Sequence, residues 1–351
     1  MRLRPHHLLV VLASAAACSS ETSSSPGEEG PPLPWARGRV PEVVGLDAAA
    51  VELGRMLFYD PILSRDGAVA CATCHSELWG MSDGLARSVG VDGEGPVGPG
   101  REGPNETTRN APTLWNVAFR PSLFWDGRAT SLEAQALLPI ENVVEMDRSL
   151  SAVVADLKGI EGYVQLFDAA YGEIDEAHLA DALAAFQRTF RTGLAPYDRY
   201  VAGDEGALDE DQQAGMWLFA EAGCADCHRP PLFESERFAA RGVGEGTDEG
   251  RGAVTGVAED IGRFRVPTLR NLRETGPYFH DGSTKELEDA VAREVARSEA
   301  EGQTRPLSVD EVAAIAVFLR KGLMDRSGEP DRPEEVPSGL PVPEDGFRIP
   351  R

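Results

Sequence analysis

Apolar residues recur at helical spacing along most of the patterned stretches of this chain, and convincing strands are scarce. In "DAAAVELGRMLFYD" the positions Val51, Leu53, Leu57 and Phe58 form one apolar face, and "DQQAGMWLFAEAG" repeats the same Gly, Met, Leu, Phe order further on. Each stretch predicts a helix, and the shared order points to an internal duplication. Between them, "SLSAVVADLKGIEGYVQLFDAAYG" and "DEAHLADALAAFQRTFRTG" carry the same periodicity, the second closing at Gly193. "LSVDEVAAIAVFLRKG" opens on a capping box of Ser308 and Glu311, sets Val312, Ile315, Ala316 and Leu319 on one face, and ends at Lys321 and Gly322. The long irregular stretches are the Gly-rich run from Gly90 to Arg109, the loop from Arg241 to Gly262 and the Pro-rich tail from Gly328 onward. The pattern predicts a mainly α protein of two helical domains with long loops, divided near Gly203 to Leu208.

Composition narrows the partners. The 351 residues are 42% hydrophobic and 26% charged, enough for a real core, and the net charge of -24 would repel nucleic acid or an acidic membrane surface while attracting a cationic protein. The N-terminus "MRLRPHHLLVVLASAAACSS" has basic residues, a short apolar run and small residues before Cys18, the layout of a secretory signal too short to span a bilayer. "AAAC" resembles a bacterial lipobox and Ser19 favours the outer membrane, so the expected plan is a signal peptide at 1–17 and a lipid-bearing tether at 18–40. An ordinary cleaved signal with an incidental cysteine is the alternative. A first domain at 41–204, a second at 205–327 and the tail at 328–351 complete the plan.

The remaining four cysteines lie in "CATCH" (Cys71, Cys74, His75) and "CADCH" (Cys224, Cys227, His228), each preceded by one copy of the repeated helix. C-x-x-C-H reads as c-type haem attachment, with both thiols bonded to the porphyrin and the histidine on the iron. Zinc wants about four Cys or His ligands per site, and a thioredoxin-like dithiol follows a strand rather than a helix, so haem is the better reading. Two haems alone define only an electron carrier. An enzyme needs an open iron and an acid/base group beside it.

Two further stretches carry a resemblance. "RNAPTLWNVAFRPSLFWDGRATSLEAQALLPIENVVEM" (Arg109 to Met146) and "GRFRVPTLRNLRETGPYFHDGSTKELEDAV" (Gly262 to Val291) closely resemble the bacterial di-haem cytochrome c peroxidases, a family that includes the MauG-type enzymes. With the haem motifs the resemblance spans Leu46 to Gly322. It implies a peroxidatic haem on Cys71, Cys74 and His75, and an electron-transfer haem on Cys224, Cys227 and His228. It implies Trp125 as the relay between them, Glu145 as distal acid/base and Gln135 in the same pocket. A calcium ion on Asn110, Thr275 and Pro277 is also implied. Hydrogen peroxide and a small c-type cytochrome or similar donor would be the partners, and the family is often dimeric. The neighbours of Glu145 in "LPIENVVEM" are apolar and would raise its pKa.

Two positions depart from the family pattern. Asp92, in "SVGVDG", stands where a His that caps the resting peroxidatic iron is often found, which predicts a permanently open first haem. Glu294 stands where the electron-transfer haem takes a Met in the peroxidases or a Tyr in MauG-type enzymes. Glu294, a water or Met324 would have to fill that position, and an oxygen donor there favours a MauG-type oxidation of a protein or other substrate at a distance.

Overall fold

The computed structural model describes residues 32–242 and 247–346. The expected signal peptide, Cys18 and the tether as far as residue 31 lie outside the described residues.

The described chain is mostly helical. In order its α-helices are α1 (Ala48–Tyr59), α2 (Cys71–Cys74), α3 (Leu132–Glu141), α4 (Leu150–Leu157), α5 (Glu161–Ala170), α6 (Glu176–Gln187), α7 (Pro196–Val201), α8 (Glu210–Glu221), α9 (Gly252–Thr255), α10 (Leu287–Ala300) and α11 (Val309–Val317). Two short antiparallel strands, Phe238–Ala239 and Phe264–Arg265, pair within the loop region. The helix starts follow local chemistry. Asp47, Asp175 and Asp209 accept from backbone N–H groups of the first turns of α1, α6 and α8, and Ser308 and Glu311 form the expected reciprocal box on α11.

The repeated helices do the same work twice. Helix α1 packs on α6, and α8 packs on α11. At Gly54 a Cβ would lie 1.9 Å from Ala182 O and 2.9 Å from Phe186 Cβ, and at Gly215 it would lie 2.1 Å from Ala314 O and 2.9 Å from Phe318 Cβ. Both glycines therefore let two helix backbones touch, and in both cases the Ala and Phe they meet are four residues apart on the partner helix. Two hydrophobic cores result. One gathers Leu53, Leu57, Phe58, Leu183, Phe186 and Phe190, the other Tyr197, Phe219, Phe233, Leu287, Ile315 and Phe318.

The first and last described segments each dock on the more distant core. Trp35 packs among Tyr197, Phe219 and Phe233, and Arg37 donates to Val201 O at 2.6 Å, so residues 33–40 are seated rather than free. Val336 of the tail joins the first core, Ser338 Oγ donates to the buried Asp60 at 2.6 Å, and Arg332 grips Glu77 at 2.8 and 2.9 Å. One apolar side chain plus one or two charge-assisted bonds seats each end. Neither leaves a periodic signature in the sequence.

Candidate functional site

Both C-x-x-C-H segments are built alike. The first forms the single turn α2, its histidine closing the turn with His75 N–H on Cys71 O at 2.9 Å; His228 N–H meets Cys224 O at the same distance. His75 Nδ1 lies 3.0 Å from Met81 O. His228 Nδ1 lies 3.0 Å from Pro267 O and 3.3 Å from Phe233 O. A carbonyl can only accept, so Nδ1 carries the proton in each ring and Nε2 keeps its lone pair for a metal. Burial brings both imidazoles down to about 4, so they are neutral ligands at pH 7. None of the four motif cysteines is in a disulfide, and burial pushes Cys71 and Cys224 up to about 12. The four motif cysteines and both histidines are residues of intermediate burial. Two thiols and a metal-ready imidazole on one tight turn fit a covalently held haem, twice over.

Glu145 is placed by backbone packing against the Gly-rich loop. Val91 N–H donates to Glu145 O at 2.8 Å, and a Cβ on Gly90 would lie 2.1 Å from Val144 O, so only glycine allows this approach. The carboxylate is close enough to the first motif to act on both of its thiols, less than burial and, at Cys74, less than Asp83. Burial raises its pKa, and two weaker influences oppose this: Asn142 Nδ2 donates to Oε1 at 2.7 Å, and Arg128 acts through charge alone. Asn142 was not singled out by the sequence, although its place three residues ahead of Glu145 on a tight turn was a usable signal. Gln135 lies half-buried on α3, the helix that leads into this turn.

Asp92 is engaged by neighbouring side chains. Its Oδ2 pairs with Arg65 at 2.7 Å and accepts from Asn105 Nδ2 at 3.1 Å, with the side chain half-exposed.

Trp125 sits on the seam between the two cores. It is buried, its Nε1 donates to Asn110 O at 2.9 Å, and its carbonyl accepts from Arg265 N at 2.8 Å. Asn110 N–H in turn donates to His280 O at 2.8 Å, and the His280 ring stands edge-on to Trp125 at 6.3 Å while stacking on Phe264 at 3.6 Å. Arg109 braces the same region, bonding Asp126 and both oxygens of Asp248 at 2.7 Å each. Across the seam Arg120 Nε donates to Glu234 at 2.9 Å, both side chains being buried. These ion pairs join residues far apart in the chain, which is why periodicity and spacing missed them.

Asn110, Thr275 and Pro277 are all buried, and the first two share one neighbour. Asn110 Nδ2 donates to Leu85 O at 2.8 Å, and Thr275 Cγ2 would lie 2.8 Å from a Cβ on Gly80, so both touch the 80–85 segment that follows the first motif. Glu294, on α10, acts on the Cys224 thiol after burial and is therefore beside the second motif. Its Oε2 is held by Arg241 Nε at 2.8 Å. Arg241 also reaches Glu301 at 2.9 Å.

A mostly helical chain with two C-x-x-C-H turns, a seam tryptophan and a carboxyl group beside the first turn has the parts of a haem oxidoreductase. Residues 48–206 match the family model described as di-haem cytochrome c peroxidase. The chain is similar to the methylamine utilization protein MauG of Methylorubrum extorquens, 44% identical over 265 residues that cover 72% of each chain. It is also similar to the cytochrome c551 peroxidase of Pseudomonas aeruginosa, 36% identical over 280 residues that cover 76% of this chain and 77% of the relative. The crystal structure of a MauG-like protein associated with microbial copper homeostasis superposes with a TM-score of 0.69 at 28% identity, covering 86% of this chain and 96% of that one. The chain belongs to the di-haem cytochrome c peroxidase family, and it is an oxidoreductase with two c-type haems.

Proposed function

We propose that the protein reduces hydrogen peroxide to water with electrons from a small c-type cytochrome or a similar donor. The haem held by Cys71, Cys74 and His75 would supply the redox iron at which the O–O bond breaks. Glu145 takes the proton from one peroxide oxygen and returns it to the other, which leaves as water. The observation that carries this role is its setting: a carboxyl beside the first motif, with a raised pKa and only a neutral amide bonded to it. Gln135 lines the same pocket. Cys224, Cys227 and His228 hold the second haem, where electrons enter, and Trp125, bonded to both sides of the seam, serves as the relay. With Asp92 turned to Arg65, no side chain at that position caps the first iron, so the enzyme needs no prior reduction.

Calcium on Asn110, Thr275 and Pro277 would lock the 80–85 segment to the second core. The protein would work in the periplasm, anchored through lipid on Cys18, as a monomer or a homodimer; no helix among the described residues is long and apolar enough to cross a membrane.

A second reading, MauG-type oxidation of a protein or other substrate at a distance, is favoured by one observation: a carboxylate, Glu294, stands where the second haem takes Met or Tyr. Steady-state peroxide consumption with reduced cytochrome separates the two. Rapid turnover that is abolished in Glu145→Ala, with both haems still attached, supports the peroxidase. Poor turnover with a persistent oxidised product after one equivalent of peroxide supports the MauG-type reading.

A further inference from the structure

An aromatic chain runs from the second motif to the protein surface and has no part in the mechanism above. Phe233, whose carbonyl accepts from His228 Nδ1 at 3.3 Å, is fully buried and stands edge-on to Tyr197 at 5.0 Å and to Trp35 at 5.9 Å. Trp35 Nε1 donates to Tyr197 Oη at 2.7 Å, and their rings lie 6.1 Å apart. Tyr197 is wholly buried, whereas Trp35 is only partly buried. Indole and phenol are the most easily oxidised ring side chains, and here they stand within one ring of the His228 turn. A segment with the composition of a loose tether is thus fixed to the protein by its one oxidisable ring, at the entropic cost of ordering it.

We propose that Trp35 is an internal electron donor of the second haem site, giving up electrons through the Tyr197 and Phe233 edge when peroxide arrives and no external donor is present. This rests on the peroxidase reading. The first loss leaves an oxidised indole whose Nε1 proton stays in its bond to Tyr197 Oη, since a neutral phenol is a poor base. A second loss, with addition of oxygen from water and release of two protons, converts the indole to a hydroxyindole. The two electrons and two protons reduce one hydrogen peroxide to two waters. Net, one hydrogen peroxide and Trp35 give one hydroxytryptophan and one water, the added oxygen coming from water. Trp35 would then be both an overflow outlet and the point from which an exposed oxidisable partner could be reached.

Trp217 provides an internal control, because it is 43% exposed on α8 and joins no aromatic contact among the described residues. The test treats the holoprotein, with both haems, with a few equivalents of hydrogen peroxide and no reductant, then maps added oxygen by peptide mass spectrometry. The expected result is oxygen on Trp35 several-fold above Trp217, suppressed when reduced cytochrome is present. Trp35→Phe should lose the tryptophan radical signal seen by rapid-freeze EPR while keeping donor-supported turnover. Tyr197→Phe, which keeps the ring, should cut the labelling several-fold. Equal labelling of Trp35 and Trp217, or peroxide consumption with Trp35 intact, overturns the inference. Failure to consume peroxide even with reduced cytochrome overturns instead the reading on which it rests, so the two failures are distinguishable.

Discussion

In the first half α1 lies on α6 through Gly54 and the motif histidine is held by Met81 O; in the second, α8 lies on α11 through Gly215 and the histidine is held by Pro267 O and Phe233 O. A carboxylate stands near each motif, and there the halves part. Glu145 is bonded by a neutral amide, Asn142, and burial raises its pKa, while Glu294 is clasped by the guanidinium of Arg241. The scaffold positions an imidazole in both halves, and the two carboxylates differ in their partners, a neutral amide in one half and a guanidinium in the other. Burial beside a neutral partner raises a carboxyl's pKa, the setting a proton-transfer group needs.

The largest expected effect tests this difference directly. Glu145→Gln should lower kcat/KM for peroxide by about 10²–10⁴-fold, the usual worth of a positioned proton-transfer group, with both haems attached. Glu294→Gln should leave it within a few-fold. Equal losses in the two variants would mean that the carboxylates are not divided in role, and stopped-flow peroxide reduction reads both.

The shared part of the scaffold is tested by Gly54→Ala and Gly215→Ala. A methyl at either position meets a helix carbonyl oxygen at about 2 Å, which only a shift of the whole helix can relieve. Overpacking of this kind costs about 1–3 kcal/mol, so each variant should lower the midpoint of urea-induced unfolding by a similar amount. If only one does, the duplication is a likeness of sequence and not of packing.

A smaller effect concerns pH. Because burial holds Glu145 above the ordinary glutamate value of about 4.3, activity that needs the ionised form should fall as pH drops through a pKa higher than that. The Asn142 bond favours the charged form, so Asn142→Ala should move this acid limb to still higher pH, with the plateau at high pH changed less. A limb that moves down, or does not move, would show that Asn142 does not set the acidity of Glu145.

How much of this was legible depends on the range of the interaction. Helix positions, the cap at Ser308 and both haem motifs follow from residues within one or two turns of each other, and the pattern of the chain reports them. The docking of Trp35 on Tyr197, of Ser338 on Asp60 and of Arg332 on Glu77 joins residues more than 150 positions apart. No period or local propensity encodes such a contact, so two segments that look like a tether and a tail carry anchoring side chains unseen. The position of Glu294 was legible from the resemblance, but its arginine was not, because Arg241 comes from an irregular loop 53 residues earlier.

That arginine gives the smallest effect and the finest test of the comparison. Arg241 and Glu294 are both partly exposed, so the pair contributes at most about 1 kcal/mol and Arg241→Ala should hardly change stability. Its expected consequence is spectroscopic. Freed from Arg241, the Glu294 carboxylate near Cys224 is available to the second haem, and the low-temperature EPR signal of that haem should change while that of the haem on His75 does not. Glu294→Gln in the same background should reverse the change, since the amide is a weaker ligand and carries no charge. If Arg241→Ala leaves both signals as they were, the pair is a surface contact alone, and the two halves differ only in the setting of Glu145.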